Sequence, residues 1–418
     1  MNLLEPTANS MVTSLNSQAS NDGFMDPCHA WVCRKEASTH LPQTQGPLAG
    51  ITVGVKDIIV TKDFPTQFGT TLPESAFRDL LDMGDAPAVA MLRKAGAEIT
   101  GKTVTTELAT FSPGPTLNPW RHERTPGGSS SGSAAAIASG DIDLALATQT
   151  AGSIGRPAAF CGVLGFKPSF NRLATKGVLR TSETLDTLGL MAQSVDTLQR
   201  AMMVLGNLDV SAPAAASTQT LVFYQSHLWS ALSSKDQLVI QDFVKKIAPY
   251  FRAVIQKQTR QCLVDLAKAQ QYIHGHEVSE HLGHLLHDHW ESLSDAFKAF
   301  VAEGKNLPTS DRSWAYLQIQ NARRADNSFV EENELWITPV INAVAPLRSV
   351  GTGDPAFCRA WTAAGNPTLT IPIAMQQSLP FAVQLVAPKG ADELLLNAAA
   401  EIEHLLQKPW EIRHDTQL

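Results

Sequence analysis

From Pro126 to Gly140 the chain reads PGGSSSGSAAAIASG, where Ile137 is the only side chain larger than proline. Such a run opens as a Gly/Ser turn and continues as an alanine-rich helix, and side chains this small allow close packing against whatever lies beneath. IDLALATQT (142–150) follows as a strand candidate. In AGSIGRPAAFCGVLGFKPS (151–169) glycine and proline recur too often for a long helix. The expectation there is a loop holding Ser153, a short apolar element at AAFCGVLG, and a second loop. Upstream, ITVGVKDIIV (51–60) reads as a β-branched strand interrupted by Lys56-Asp57. DAPAVAMLRKA (85–95) has helical spacing with Pro87 near its start, and AEIT (97–100) reads as a short strand. Alternation of this kind indicates an α/β chain.

Residues 1–47 form a Ser-, Gln-, Asn- and Pro-rich lead segment, and 48–418 are expected to make one domain. Within it, LVFYQSHLW is strand-like, and most of the remainder of about 220–335 is helical, charged and rich in Gln and His. That stretch is read as a variable helical elaboration shaping the substrate entrance. GNPTLTIPIAM and LPFAVQLVAP give two further strands before the helical DELLLNAAAEIEHLL.

A net charge of -7 argues against a nucleic-acid or anionic-membrane surface, both of which need basic patches, and favours a small-molecule partner. The polar N-terminal sequence has neither a basic start nor a long apolar stretch, so the cytoplasm is the default expectation. Five scattered cysteines do not suggest a disulfide framework.

PGGSSSGSAAA followed by TQTAGSIGRPAAFCG, with GVKDII upstream, resembles the amidase signature family. The resemblance runs from GVKD (54–57) through GFKPS (165–169) to GNPTLTIPI (365–373), and implies a large mixed β-sheet flanked by helices on both faces. It implies a Ser–cis-Ser–Lys catalytic set of Lys56, Ser129 and Ser153, with a cis peptide bond at Gly128–Ser129, and no metal or organic cofactor. One by one these residues have ordinary readings: a strand lysine usually snorkels, and GSSSGS suits a flexible turn. Their joint order and spacing is what carries the assignment.

The chemistry accounts for the residue types. A serine hydroxyl is a poor nucleophile until a base takes its proton, and lysine is a base only when neutral, so burial must lower its pKa. Val53, Val55, Ile58 and Ile59 supply apolar flanks for Lys56. Ser129 would relay the proton between Lys56 and the nucleophile Ser153, on which an acyl-enzyme forms. Backbone N–H groups of Thr150, Ala151, Gly152 and Ser153 are the expected oxyanion hole, where small residues allow close approach.

Two departures bear on substrate. The loop reads AGS where many members have GGS, and Gly155 stands where many have arginine. Arginine comes one place later, as Arg156, and with TQT before the loop and LDTLG (185–189) this is similar to the malonamidase branch. That branch implies a substrate carboxylate on Arg156, with Gln149 a further substrate-binding candidate. The alternative for Arg156 is an internal pair with Asp57 or Asp186. The substrate expectation is a small carboxamide, malonamate-like if Arg156 clamps a carboxylate. Ureas or carbamates, and a glutaminase role within an amidotransferase, remain open, as does a homodimer.

Three other signals compete. GAEITGKT (96–103) fits the GxxxxGKT phosphate-loop pattern, but a helix leads into it and strand residues occupy the loop. Six histidines from His274 to His289 raise a metal site, against which stands the absence of HExxH and the reading of a solvated amphipathic helix. Cys161 lies among apolar neighbours and is expected to be core.

Overall fold

The computed structural model describes residues 25–35, 45–210, 216–324 and 329–406. Eleven strands form one sheet: β1 (Trp31–Arg34), β2 (Thr52–Lys56), β3 (Glu98–Thr103), β4 (Leu144–Gln149), β5 (Leu164–Lys167), β6 (Thr187–Ala192), β7 (Thr220–Gln225), β8 (Ala253–Gln258), β9 (Glu334–Pro339), β10 (Thr368–Gln376) and β11 (Leu379–Val386). Their order across the sheet is β1-β3-β2-β4-β6-β5-β10-β11-β9-β7-β8. Pairing is parallel among β3, β2 and β4 and among β9, β7 and β8, and antiparallel through the centre. The mixed sheet expected from the sequence is present.

Helices cover both faces, as β4 demonstrates. Successive strand residues point to opposite sides, and Leu144 and Leu146 join one apolar cluster while Ala145 and Ala147 join another. On the alanine side lies the helix Ser131–Ala138, bringing Ala134, Ala135 and Ile137 against the sheet. Gly132 is why this helix approaches the β1 and β3 side so closely: a Cβ on it would lie 2.2 Å from the Ala30 carbonyl oxygen and 2.3 Å from Val104 N. The opposite face carries the helices Pro87–Lys94, Val195–Leu205 and Asp392–Leu405, whose Leu92, Leu198, Leu396 and Ile402 fill the larger core.

The structure differs from the sequence expectations in three places. Trp31–Arg34, inside the 1–47 lead segment, pairs with β3 and forms one edge of the sheet. The short apolar element after Ser153 is a helix, Gly155–Cys161, followed by β5. Pro157 fits because first-turn N–H groups have no intrahelical acceptor, and Gly162 ends the helix at φ 74°. Within 220–335 the helices Ser234–Ile247, Gln261–Leu285, Asp295–Lys305 and Thr309–Arg323 dominate as expected, but β8 also lies there and forms the other sheet edge.

Candidate active site

Parallel pairing decides where the site forms. Val53 stands opposite Leu144 and Val55 opposite Leu146, so the C-terminal ends of β2 and β4 open side by side. Lys56 is the last residue of β2, and Thr148 and Gln149 close β4. The turn before Ser131–Ala138 folds in from above. Gly127 there has φ 83°, and a Cβ on it would lie 2.7 Å from Pro157 Cα, so the turn presses directly onto the helix Gly155–Cys161. The Gly128–Ser129 peptide bond is cis, as the resemblance implied.

Lys56 Nζ donates to Ser129 Oγ at 2.7 Å and to Thr148 Oγ1 at 2.8 Å, and the side chain has no solvent exposure. Burial pulls its pKa from 10.5 down to about 7, with Asp186 opposing the shift. A lysine held by two hydroxyls and no adjacent carboxylate hydrogen bond can lose its proton near neutrality. Thr148 was legible only as part of TQT; nothing in the sequence marked its hydroxyl as a lysine partner.

Ser153 lies in the loop after β4 and is 7% exposed, against 1% for Ser129 and 0% for Lys56. Among the described residues, no acceptor takes a hydrogen bond from the backbone N–H groups of Ala151, Gly152 or Ser153. The next two N–H groups, of Ile154 and Gly155, donate to Gln149 Oε1 at 2.9 and 3.0 Å. Gln149 Nε2 donates to Thr362 Oγ1 at 3.0 Å, so this side chain is engaged within the protein at both ends. Thr150 Oγ1 donates to Asp186 Oδ1 at 2.6 Å.

Arg156 ties the Ser153 loop to the Ser129 turn. Its guanidinium donates to the Gly128 carbonyl at 2.7 Å and to the Gly353 carbonyl at 2.8 Å, while its buried Nε has no partner. Neither internal carboxylate considered for it is its partner. Asp57 sits 3.1 Å from Lys102, both fully buried. Asp186 accepts from Thr150, Thr181 and Ser182. Burial lowers the Arg156 pKa to about 10, which leaves it charged at neutral pH.

The competing signals resolve structurally. Lys102, the lysine of GKT, is inside β3 and bonds Thr66 and Asp57, so the phosphate-loop geometry is absent. His274 is buried beside Phe111 and Phe300, and burial, then Arg359 and Arg156, depress its pKa to about 3. Glu277 accepts from Ser182, Thr184 and Tyr316. No group of three His, Cys, Asp or Glu side chains among the described residues is arranged to hold a metal. Cys161 is fully buried and burial raises its pKa, which removes thiolate character. No helix among the described residues is long and apolar enough to cross a membrane.

The Amidase family model matches residues 16–271. A glutamyl-tRNA(Gln) amidotransferase subunit from Halobacterium salinarum is 30% identical over 415 residues, covering 86% of this chain and 96% of that protein. The protein of the same name from Methanospirillum hungatei JF-1 is 40% identical over 195 residues, and there the match spans only 42% of the relative's length. Among solved structures, one described as an amidase superposes with a TM-score of 0.73 at 27% identity, over 86% of this chain and 85% of that one. A 6-aminohexanoate cyclic dimer hydrolase shares the fold with a TM-score of 0.73 at 21% identity, over 89% and 88% of the two chains. Family model and near full-length relative agree with the fold: the chain belongs to the amidase signature family of enzymes.

Proposed function

We propose that this protein hydrolyses the amide bond of a small carboxamide through Lys56, Ser129 and Ser153. The observation that carries the reading is the buried Lys56 amine bonded to Ser129 and Thr148 with a pKa near 7. With Lys56 neutral, the 2.7 Å contact runs in reverse, Ser129 Oγ–H donating to Nζ; the relay then requires Ser153 Oγ–H to donate to Ser129 as substrate is attacked.

Attack forms the Ser153 Oγ–carbon bond while the Ser153 proton passes to Ser129 and the Ser129 proton to Lys56. Collapse breaks the C–N bond, and the same path run backwards delivers the proton to the leaving amine. Water then repeats the sequence on the acyl-enzyme, releasing the acid and restoring Ser153. The N–H groups of the Thr150–Ser153 loop receive the oxyanion, a role favoured by the lack of acceptors for Ala151, Gly152 and Ser153 among the described residues.

Arg156 directs the site toward carboxylate-bearing, malonamate-like amides in this reading. It is a buried cation with no ion pair among the described residues and an unpartnered Nε. Gln149 serves better as a support for the loop than as a substrate contact, since both ends of its amide are engaged. The test is a panel of malonamate, propionamide, glutamine and phenylurea with wild type and Arg156→Ala. Preferential loss of malonamate kcat/KM supports the clamp, and an unchanged ratio between charged and neutral amides removes it.

A second reading is favoured by the name of the Halobacterium relative, which makes it one part of a glutamyl-tRNA(Gln) amidotransferase. Glutamine turnover that requires a partner chain would select this reading over the stand-alone amidase.

A further inference from the structure

The Ser153 loop is anchored from behind at three successive peptide groups. Gln270 Nε2, from the helix Gln261–Leu285, donates to the Thr150 carbonyl at 2.9 Å. Thr362 Oγ1, from the helix Ala356–Ala364, donates to the Ala151 carbonyl at 2.8 Å. The Arg156 backbone N–H, in the helix Gly155–Cys161, donates to the Gly152 carbonyl at 3.0 Å. Each of these carbonyls shares a rigid, planar peptide unit with the N–H of the following residue. Fixing the Thr150, Ala151 and Gly152 carbonyls therefore fixes the directions of the Ala151, Gly152 and Ser153 N–H groups.

We propose that Gln270 and Thr362 are positioning residues for the oxyanion hole, acting through the carbonyl side of the peptides whose N–H groups face the reacting atom. The inference rests on the Ser153 nucleophile and oxyanion loop proposed above. Two features make the anchors specific. Arg359 donates to Gln270 Oε1 at 2.7 Å, which fixes the amide orientation so that Nε2 faces Thr150. Gln149 Nε2 donates to Thr362 Oγ1 at 3.0 Å, which leaves the hydroxyl hydrogen for a carbonyl, Ala151 O at 2.8 Å being closer than Cys358 O at 3.1 Å. Gln270 and Thr362 are 0% and 1% exposed, so water does not substitute for either bond. A hydrogen bond to a carbonyl also polarises its peptide and strengthens the N–H at the other end. The segment expected to shape the substrate entrance thus reaches into the machinery through one glutamine.

A fluorophosphonate probe tests this without knowledge of the natural substrate. The Ser153 Oγ–P bond forms as P–F breaks, the proton passing through Ser129 to Lys56 and fluoride leaving, while the phosphoryl oxygen occupies the oxyanion position. Rate and affinity of labelling are measured for wild type, Ser153→Ala, Gln270→Met, Thr362→Val and Thr362→Ser. The expected result is a maximal labelling rate about 10- to 100-fold lower in Gln270→Met and Thr362→Val, with probe affinity unchanged and most of the rate restored in Thr362→Ser. If wild type is labelled at Ser153 and both variants react at the wild-type rate, the positioning role is wrong while the nucleophile stands. Labelling of Ser153→Ala at the wild-type rate overturns the underlying reading itself. Should Gln270→Met fail to fold, the Val and Ser variants of Thr362 decide the matter.

Discussion

Replacing Lys56 with methionine is expected to stabilise the fold while abolishing activity, and the stabilisation has a pH signature. In the unfolded chain Lys56 titrates at its ordinary 10.5, and in the fold at about 7. Below about 7 both states carry the proton, and burying the charge costs in full about 4–5 kcal/mol at 1.36 kcal/mol per unit. Between the two values the unfolded state binds more protons, so wild-type stability rises with pH. Methionine fills a similar volume without charge. It forfeits the hydrogen bonds to Ser129 and Thr148, about 1 kcal/mol each. Near pH 6 Lys56→Met is therefore expected to be more stable by about 2–3 kcal/mol. The lost bonds do not titrate, so the advantage shrinks by about 2–3 kcal/mol by pH 9. Urea unfolding of both proteins across that range reads the difference directly, since other titrating groups cancel. A difference independent of pH would mean that Lys56 keeps an ordinary pKa in the fold and is not the neutral base.

In the wild type, kcat/KM is expected to rise with pH through about 7, as Lys56 loses its proton and becomes a base. Lys167 is also pulled to about 7 by burial, but it donates to the Pro168 and Asn366 carbonyls. A pH–rate profile of Lys167→Met is expected to retain the acid limb, which separates the two lysines. Thr148→Val removes one of the two hydroxyls on Lys56 Nζ, with kcat expected to fall about 10- to 100-fold at nearly constant KM through misplacement of the base. Gly132→Ala drives a Cβ into backbone atoms of Ala30 and Val104, and thermal unfolding should register a loss of about 1–3 kcal/mol.

What the sequence disclosed follows its physical signals. Buried strands announce themselves through short apolar or β-branched runs, and β2, β4, β10 and β11 fall where ITVGV, LALATQ, TLTIPI and LPFAVQLV predicted them. Edge strands carry a weaker signal. In β8, AVIQKQ is mostly exposed, and β1 lies in a polar lead segment, so neither stood out. The helix after Ser153 was obscured by Gly155 and Pro157, residues unfavourable within a helix yet acceptable in its first turn.

The site shows the same division. The proposed set of Lys56, Ser129 and Ser153 was legible because reactive groups at fixed spacing form a motif. Gln270 and Thr362 lie far along the chain from the loop they support and were not. A glutamine in a helical segment has no local pattern, and only the pairing of its two amide atoms with Thr150 and Arg359 points to the positioning role proposed for it. Asp186 was a candidate partner for Arg156, yet its position beside Thr150, Thr181 and Ser182 depends on the antiparallel pairing of β4 with β6. Tertiary pairing of this kind is invisible to a reading by local period.

The most direct measurement is kcat/KM for wild type and Ser153→Ala on the same amide panel, with folding of both verified by thermal unfolding. The expected result is a loss of about 10⁴-fold or more in Ser153→Ala on every amide that the wild type cleaves, since Ser129 and Thr148, the other hydroxyls on Lys56, serve as relay and support and not as nucleophile. Activity within tenfold of wild type would contradict it.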